Sequence, residues 1–305
     1  MAPRRHVALV GPTASGKSAL AHRWAVQRDD FEIVSVDSMQ VYRGMDIGTA
    51  KPTLAEQAAV PYHLIDLVAP SEEFTLSDFQ AAARACIGDI ERRGRRALLV
   101  GGTGLYLRAV TENLALPGRY PEVAAQLDQE PDVGLLYRRL VELDDVAASR
   151  MEPTNRRRVL RALEVCIGSG RRFSSYGPGL DHHPEIDVTL VGVDRPRAEL
   201  DERIADRYRD QLAAGFLTEV AAVFGADPPP SRTARQALGY KELAATFAGE
   251  LSVDDAVALA ITRTRRFARR QQRWFRRDPR IRWLDPAENP LVALDALRGD
   301  CPTCN

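Results

Sequence analysis

The sequence predicts an α/β fold in which a parallel sheet is flanked by helices and an all-helical domain is inserted. Short apolar runs alternate with segments of helical spacing, as is typical of a parallel sheet. A glycine-rich loop at residues 11–18 separates the first apolar run from the first helical segment. Residues 113–186 show only helical patterns and loops, and a β pattern returns at 188–193. We therefore expect residues 1–112 and 187–305 to build one core around an insertion at 113–186.

The elements follow from this periodicity in chain order. Strands are predicted at 6–10, 31–36, 63–68, 97–100 and 188–193, with a last edge strand at 282–285. Helices of the core are predicted at 19–26, from about 77 to the stop at Gly94, at 197–214, at 217–224, from 237 onwards, and at 253–277. Within the insertion, helices are predicted at 123–127, 134–143, from 146, and at 155–167.

Composition narrows the class of protein without deciding the function. Hydrophobic residues make up 45% and charged residues 28% of the chain, which is typical of a globular protein. Lys+Arg and Asp+Glu are both 42, so the net charge does not indicate a nucleic-acid partner. No apolar run approaches the ~20 residues of a membrane span, and the first apolar run is too short for a signal peptide. We therefore expect a cytoplasmic protein without membrane contact.

The four cysteines indicate neither a disulfide scaffold nor a structural zinc site. Cys301 and Cys304 form a lone C-x-x-C, whereas a structural zinc ion needs four ligands. We expect no structural zinc site there, but either a chance match or a loosely bound metal.

Residues 11–18 match the phosphate-binding pattern G-x-x-x-x-G-K-[ST] between a strand and a helix. The two glycines allow successive backbone N–H groups to point inward, and the start of the helix adds its positive dipole end. The charge of Lys17 and the hydroxyl of Ser18, which can hold Mg²⁺, complete the site. The predicted site for two linked phosphates comprises Gly11, Pro12, Thr13, Ala14, Ser15, Gly16, Lys17 and Ser18.

The chemistry served by this loop depends on the nearby carboxylates. Strand 97–100 ends in Gly101-Gly102-Thr103-Gly104 and not in an acid, which argues against an ordinary ATPase or GTPase. Asp37 follows the second strand, and we expect it beside the phosphate loop, where it can accept a proton. This arrangement fits a small-molecule or nucleoside kinase, and it fits equally a displacement in which diphosphate leaves.

Six motifs, in order and spanning nearly the whole chain, resemble those of the bacterial tRNA dimethylallyltransferases. They lie at residues 11–18, 36–52, 99–106, 157–165, 236–242 and 264–275. The resemblance implies a P-loop NTPase-like core with an inserted helical domain that binds tRNA. It also implies transfer of a dimethylallyl group from dimethylallyl diphosphate to the exocyclic amine of the adenine 3′-adjacent to the anticodon.

The resemblance assigns roles to individual residues. Asp37 would accept the amine proton, Thr103 would donate to the oxygen that links the allyl carbon to phosphate, and Lys17 would neutralise the departing diphosphate with Mg²⁺ at Ser18. The adenine must leave its stack to reach such a site. The tRNA anticodon stem-loop would contact Asp37, Ser38, Met39, Gln40, Arg157, Arg158, Arg161, Arg270, Gln271 and Arg273. We expect a monomer.

The last helix supports a nucleic-acid partner independently. Its arginines at 263, 266, 270, 273 and 277 step by three and four residues, so they share one face. Such a concentration of positive charge in a net-neutral chain is typical of contact with a phosphate backbone. Phe267, Trp274 and Phe275 on this helix are interpreted as core residues. Besides the kinase, a non-catalytic RNA-binding protein that uses this helix is an alternative.

Overall fold

The computed structural model describes residues 6–285 and 287–297, so Cys301 and Cys304 lie outside the described residues. Glu112–Pro184 forms one compact unit, and the described residues on either side of it together form the other. None of the described helices is both long and apolar enough to cross a membrane.

A parallel sheet forms the centre of the larger unit. Its strands are β1 (His6–Val10), β2 (Phe31–Val36), β3 (Tyr62–His63), β4 (Arg96–Gly101), β5 (Val188–Gly192) and β6 (Arg282–Trp283). Their order across the sheet is β3-β2-β4-β1-β5-β6, and every neighbouring pair is parallel. Strands β1, β2 and β4 are buried at every position, which requires cover on both faces of the sheet.

Helices supply this cover. The larger unit has α1 (Lys17–Val26), α2 (Leu54–Ala59), α3 (Leu76–Arg92) and α4 (Gly104–Thr111) before the insertion. After the insertion it has α9 (Arg197–Ala213), α10 (Phe216–Phe224), α11 (Tyr240–Phe247), α12 (Val253–Phe275) and α13 (Pro290–Ala296). One apolar cluster joins the sheet to α1 and α13, and a larger one joins it to α3 and to the helices α9–α12.

Several helices begin where a side chain satisfies free backbone N–H groups of the first turn. Thr75 accepts from Asp78 N, and Asp78 in turn accepts from Thr75 N, which starts α3 with a capping box. Ser252 accepts from Asp255 N at the start of α12. These caps explain why the charged helix α12 begins after residue 252.

The smaller unit is entirely helical in its regular structure. It contains α5 (Pro121–Asp128), α6 (Val133–Leu143), α7 (Asp145–Ser149) and α8 (Arg156–Ser169). Leu136 and Leu140 of α6 and Val159 and Leu163 of α8 are buried in one apolar cluster. This unit therefore has a core of its own.

The structure corrects the predicted strand at 63–68, of which only His63 belongs to β3. Leu64 and Asp66 have φ values of 62° and 56°, which extended backbone does not allow. The turn brings the Asp66 carboxylate to the buried Lys51 ammonium, with which it forms an ion pair, and Val68 pairs with Tyr42 as an isolated bridge. The sequence patterns also missed α2, α4 and α13, and the edge strand ends at Trp283 and not at residue 285.

Candidate active site at the carboxyl edge of the sheet

Three strands place the predicted catalytic groups side by side at the carboxyl edge of the sheet. Gly101 of β4 pairs with Val10 of β1 on one side and with Val36 of β2 on the other. The turn after β4 therefore lies between the phosphate loop and Asp37. Although β4 lies between the first two strands of the sheet, the Asp37 carboxylate still acts on the charge of Lys17 in the phosphate loop.

The phosphate loop has the backbone that its sequence predicts. Ala14 and Gly16 both have left-handed φ values, 64° and 93°, and α1 begins directly afterwards at Lys17. The hydroxyl of Ser15 is buried and has no hydrogen-bond partner within the described part of the chain. A buried hydroxyl without a partner costs free energy that a bound ligand can recover.

Lys17 faces the interior of this edge with few protein acceptors. Its Nζ donates to Pro12 O at 3.3 Å. Burial lowers the pKa of Lys17 to about 8, the Asp37 carboxylate acts in the opposite direction, and the Arg207 guanidinium lowers the pKa further. The ammonium is thus held at a site where an anion would stabilise its charged form.

Three arginines that the sequence analysis did not single out hold the phosphate loop; we call them the loop arginines. The Nε groups of Arg195 and Arg203 donate to Ser15 O and Ala14 O, both at 2.8 Å. Nη1 of Arg207 donates to Thr13 Oγ1, also at 2.8 Å. Arg203 and Arg207 are four residues apart on α9, a spacing that indicates a shared face but not the loop that this face contacts.

Arg207 differs from the other two loop arginines because its unused donor is buried. Its Nε is buried and has no hydrogen-bond partner among the residues described. Burial lowers the pKa of Arg207, while the nearby Tyr208 and Asp37 raise it. Two cations, Lys17 and Arg207, therefore share one carboxylate at this edge, an imbalance that a polyanionic ligand would relieve.

Asp37 and Thr103 both have free polar atoms. Asp37 accepts from Met39 N through Oδ1 at 2.8 Å, and Oδ2 has no hydrogen-bond partner within residues 6–285 and 287–297. Thr103 precedes α4 and accepts from Leu107 N through its backbone carbonyl. Its half-buried hydroxyl forms no hydrogen bond to any described residue, so both side chains are available to a substrate.

Two predicted tRNA contacts have internal partners instead. Gln40 donates both amide protons, to Thr49 O and Ala50 O, and accepts from Ser35 Oγ. Gln271 is buried and is hydrogen-bonded at both ends of its amide, to Thr13 N and Gly102 O. These two amides support the backbone around the site, whereas Ser38 and Met39 remain half-buried.

The three arginines predicted to contact tRNA in the smaller unit also differ in exposure and in their internal partners. Arg157 and Arg158 are exposed in the first turn of α8. Arg161 is half-buried, donates to Pro117 O and Gly118 O, and forms an ion pair with Glu164 at 2.8 Å. Arg157 and Arg158 are therefore the more accessible of the three for a second molecule.

Helix α12 and the turn that follows it carry a row of exposed arginines that we call the surface stripe: Arg266, Arg270, Arg273 and Arg277. None of the four forms an ion pair with any residue that the structure describes. Arg263, predicted on the same face, is instead paired with Glu242. Phe275 is 2% exposed and Trp274 packs against the main core, which confirms the interpretation of these two aromatic residues as core.

Comparison with known proteins gives a consistent result along the chain. The family model described as IPP transferase matches residues 40–278. A tRNA dimethylallyltransferase of Streptomyces avermitilis is 45% identical over 296 residues, covering 96% of this chain and 94% of the relative. One of Geobacter metallireducens is 46% identical over 286 residues, covering 92% of both chains.

Solved structures are similar over comparable lengths. A tRNA isopentenylpyrophosphate transferase of Staphylococcus epidermidis is 34% identical, with a TM-score of 0.69, covering 95% of this chain and 96% of that one. A eukaryotic dimethylallyltransferase acting on tRNA is 27% identical, with a TM-score of 0.77, covering 92% of this chain and 74% of that one. Both likenesses agree with the P-loop-like parallel sheet described above.

Proposed function

The chain belongs to the IPP transferase family, and we propose that it transfers a dimethylallyl group from dimethylallyl diphosphate to tRNA. The acceptor is the exocyclic amine of the adenine on the 3′ side of the anticodon, and diphosphate is the leaving group. The observation that carries this proposal is a pair of cations, Lys17 and Arg207, at the same edge of the sheet as two groups without partners. These groups are the Thr103 hydroxyl and Oδ2 of Asp37.

The adenine nitrogen attacks the allylic carbon, whose bond to the diphosphate oxygen breaks with its electron pair going to diphosphate. The phosphate loop, Lys17 and Arg207 stabilise the negative charge that develops on this leaving group. The Thr103 hydroxyl donates to the oxygen that is released. Asp37 accepts the proton that the amine loses, which matters because an exocyclic amine is a poor nucleophile.

Mg²⁺ fits the donors that the loop offers. Mg²⁺ is often bound through one or two protein oxygens together with substrate phosphates and water. Ser18 is exposed at the start of α1 and supplies such an oxygen, and the described residues contain no cluster of three side chains that would bind a metal without phosphate. When bound, Mg²⁺ would add positive charge against the leaving diphosphate.

The anticodon stem-loop is the proposed macromolecular substrate. The surface stripe and the exposed Arg157 and Arg158 supply charges for its phosphate backbone. Asp37, Ser38 and Met39 are proposed to receive the adenine after it leaves its stack. Because tRNA is a cytoplasmic substrate and the described site lies within one chain, we propose a cytoplasmic monomer.

The kinase alternative is not favoured. A kinase would use Asp37 as base and would transfer phosphate from ATP, but the relatives that match over nearly the whole chain are dimethylallyltransferases by name. A common nucleotide hydrolase has an acidic residue after the corresponding strand, whereas Gly102 and Thr103 follow β4 in this chain.

The decisive experiment combines the protein with dimethylallyl diphosphate, Mg²⁺ and tRNA that carries adenine at this position, followed by mass spectrometry of the nucleosides. We expect prenylated adenosine from the wild type. Asp37→Asn keeps the size of the side chain but removes the base, so turnover falls by about a hundredfold or more while the Kd for tRNA is unchanged.

A matched control is Asp210→Asn, which alters an exposed carboxylate on α9 and leaves turnover as in the wild type. Absence of prenylated adenosine with the wild type would refute the proposed reaction. Parallel losses of tRNA affinity and turnover in Asp37→Asn would assign this residue to binding and not to proton transfer.

A further inference from the structure

We propose that Gln271 is a positioning residue that sets the distance between the phosphate loop and the turn that carries Thr103. Its predicted effect on transfer rests on the proposed function, but its effect on diphosphate binding does not. The residue lies on α12 within the same turns as the surface stripe, yet it points into the protein and is 6% exposed.

The amide of Gln271 connects two backbone segments that follow different strands. Its Oε1 accepts from Thr13 N at 2.9 Å, and its Nε2 donates to Gly102 O at 2.9 Å. Since the amide group is planar and short, both hydrogen bonds are satisfied only at one separation of the two segments. Gln271 therefore acts as a spacer between the loop after β1 and the turn after β4.

Both segments are directly joined to groups that the reaction needs. The side chain of Thr13 accepts from Arg207, the arginine with the unused buried donor. Gly102 precedes Thr103, whose hydroxyl would donate to the bridging oxygen of the substrate. A change at Gln271 would thus shift the groups that bind diphosphate relative to the group that assists its departure.

The close fit at Gly102 supports this role independently. A Cβ added at residue 102 would lie 2.2 Å from Nε2 of Gln271 and 3.1 Å from Gly11 O. The turn therefore accommodates the Gln271 amide only because residue 102 has no side chain. Helix α12, the phosphate loop and the Gly102 turn meet at this point with no room for an additional atom.

The test uses binding of inorganic diphosphate to the full chain, measured by calorimetry, together with tRNA binding and steady-state turnover. Gln271→Met keeps the size of the side chain and removes both hydrogen bonds. We expect the Kd for diphosphate to rise about tenfold, as for a buried backbone group that loses its partner. Turnover should fall by up to about a hundredfold because the reacting groups are displaced, while the Kd for tRNA stays unchanged.

A second variant separates positioning from a general loss of structure. In Gln271→Glu, a protonated carboxyl group can accept from Thr13 N and donate to Gly102 O, whereas the ionised form cannot donate. The diphosphate affinity of this variant, divided by that of the wild type at the same pH, should rise as the pH falls from about 8 to about 6. The same ratio for Gln271→Met should not change with pH.

Gln57→Met is the matched control, because it makes the same chemical change on α2, where the amide donates to Pro52 O at 2.9 Å. It should leave diphosphate affinity within about twofold of the wild type.

Wild-type diphosphate affinity in Gln271→Met, or a loss of tRNA affinity alone, would overturn the positioning role. A failure of the wild type to prenylate tRNA would refute the proposed function but would leave the diphosphate test intact. If Gln271→Met does not fold, the pH-dependent ratio of Gln271→Glu carries the test, and a flat ratio overturns the proposal.

Discussion

The loop arginines and the surface stripe contain the same side chain in two different electrostatic settings. Arg195, Arg203 and Arg207 donate to atoms of residues 13–15 and hold the phosphate loop. The four arginines of the surface stripe are exposed on α12 and in the turn after it, and they form no ion pair within the described residues. Both groups belong to the larger unit, so the difference in their electrostatic setting does not arise from their lying in different units.

The two groups of phosphate-binding arginines perform different tasks. A guanidinium held by fixed hydrogen bonds is preorganised, and it loses little entropy when a small anion binds. An exposed guanidinium is mobile and hydrated, and it gains affinity mainly through the release of counterions from a nucleic acid. We therefore expect the first group to control diphosphate binding and the second group to control tRNA binding, with little overlap between them.

The largest expected effect is that of Arg207→Met on diphosphate. The substitution removes a charge and the buried Nε donor, and charged hydrogen bonds contribute about 1.5–3 kcal/mol each. The Kd for inorganic diphosphate should rise about a hundredfold, while the salt dependence of tRNA binding is unchanged. Calorimetry with Arg209→Met as control, an exposed arginine on the same helix, checks this result. An equal loss in the control would remove the distinction between the two groups.

The surface stripe gives a smaller effect that depends on salt. Replacing Arg266, Arg270, Arg273 and Arg277 together by Gln removes four potential phosphate contacts, each releasing about 0.7 counterions from single-stranded RNA. Between 50 and 200 mM salt, wild-type tRNA affinity should then fall about fiftyfold more than that of the variant. Filter binding over this salt range measures it. Equal slopes for both proteins would exclude the stripe from the interface, and diphosphate affinity serves as the internal control.

The two groups also differ in how far they can be predicted from the sequence. The surface stripe and the phosphate loop are local patterns, a three-four spacing and an eight-residue motif, so both are visible without a structure. Arg207 lies on a helix that was predicted, but its contact with Thr13 spans 194 residues and has no local signature. Gln271 was predicted beside the tRNA because its segment resembles the tRNA-contact segment of the family, whereas its own side chain is buried.

The fold shows the same limit. Strands β1, β2, β4 and β5 were predicted nearly to their ends because buried parallel strands are continuous apolar runs. The segment 63–68 is also mostly apolar, but it contains Asp66, whose ion pair with Lys51 favours a turn there. The order of strands was not predictable either, since the pairing of β4 between β1 and β2 depends on how helices pack against the whole sheet.

The smallest of these effects concerns pH and tests whether the loop site depends on its lysine as well as on Arg207. Burial lowers the pKa of Lys17 to about 8, so this ammonium is charged below that pH and becomes neutral above it. A bound diphosphate favours the charged form, and binding should therefore weaken by up to about tenfold between pH 8 and pH 9. Arg207 keeps a charge in the site over this range, because an arginine guanidinium retains its proton at such pH values.

Calorimetric titration with inorganic diphosphate at several pH values measures this loss of affinity. Lys17→Arg should abolish the pH dependence even where it lowers the affinity. A wild-type affinity that is constant from pH 7 to pH 9 would mean that Arg207 and the loop amides carry diphosphate binding without Lys17.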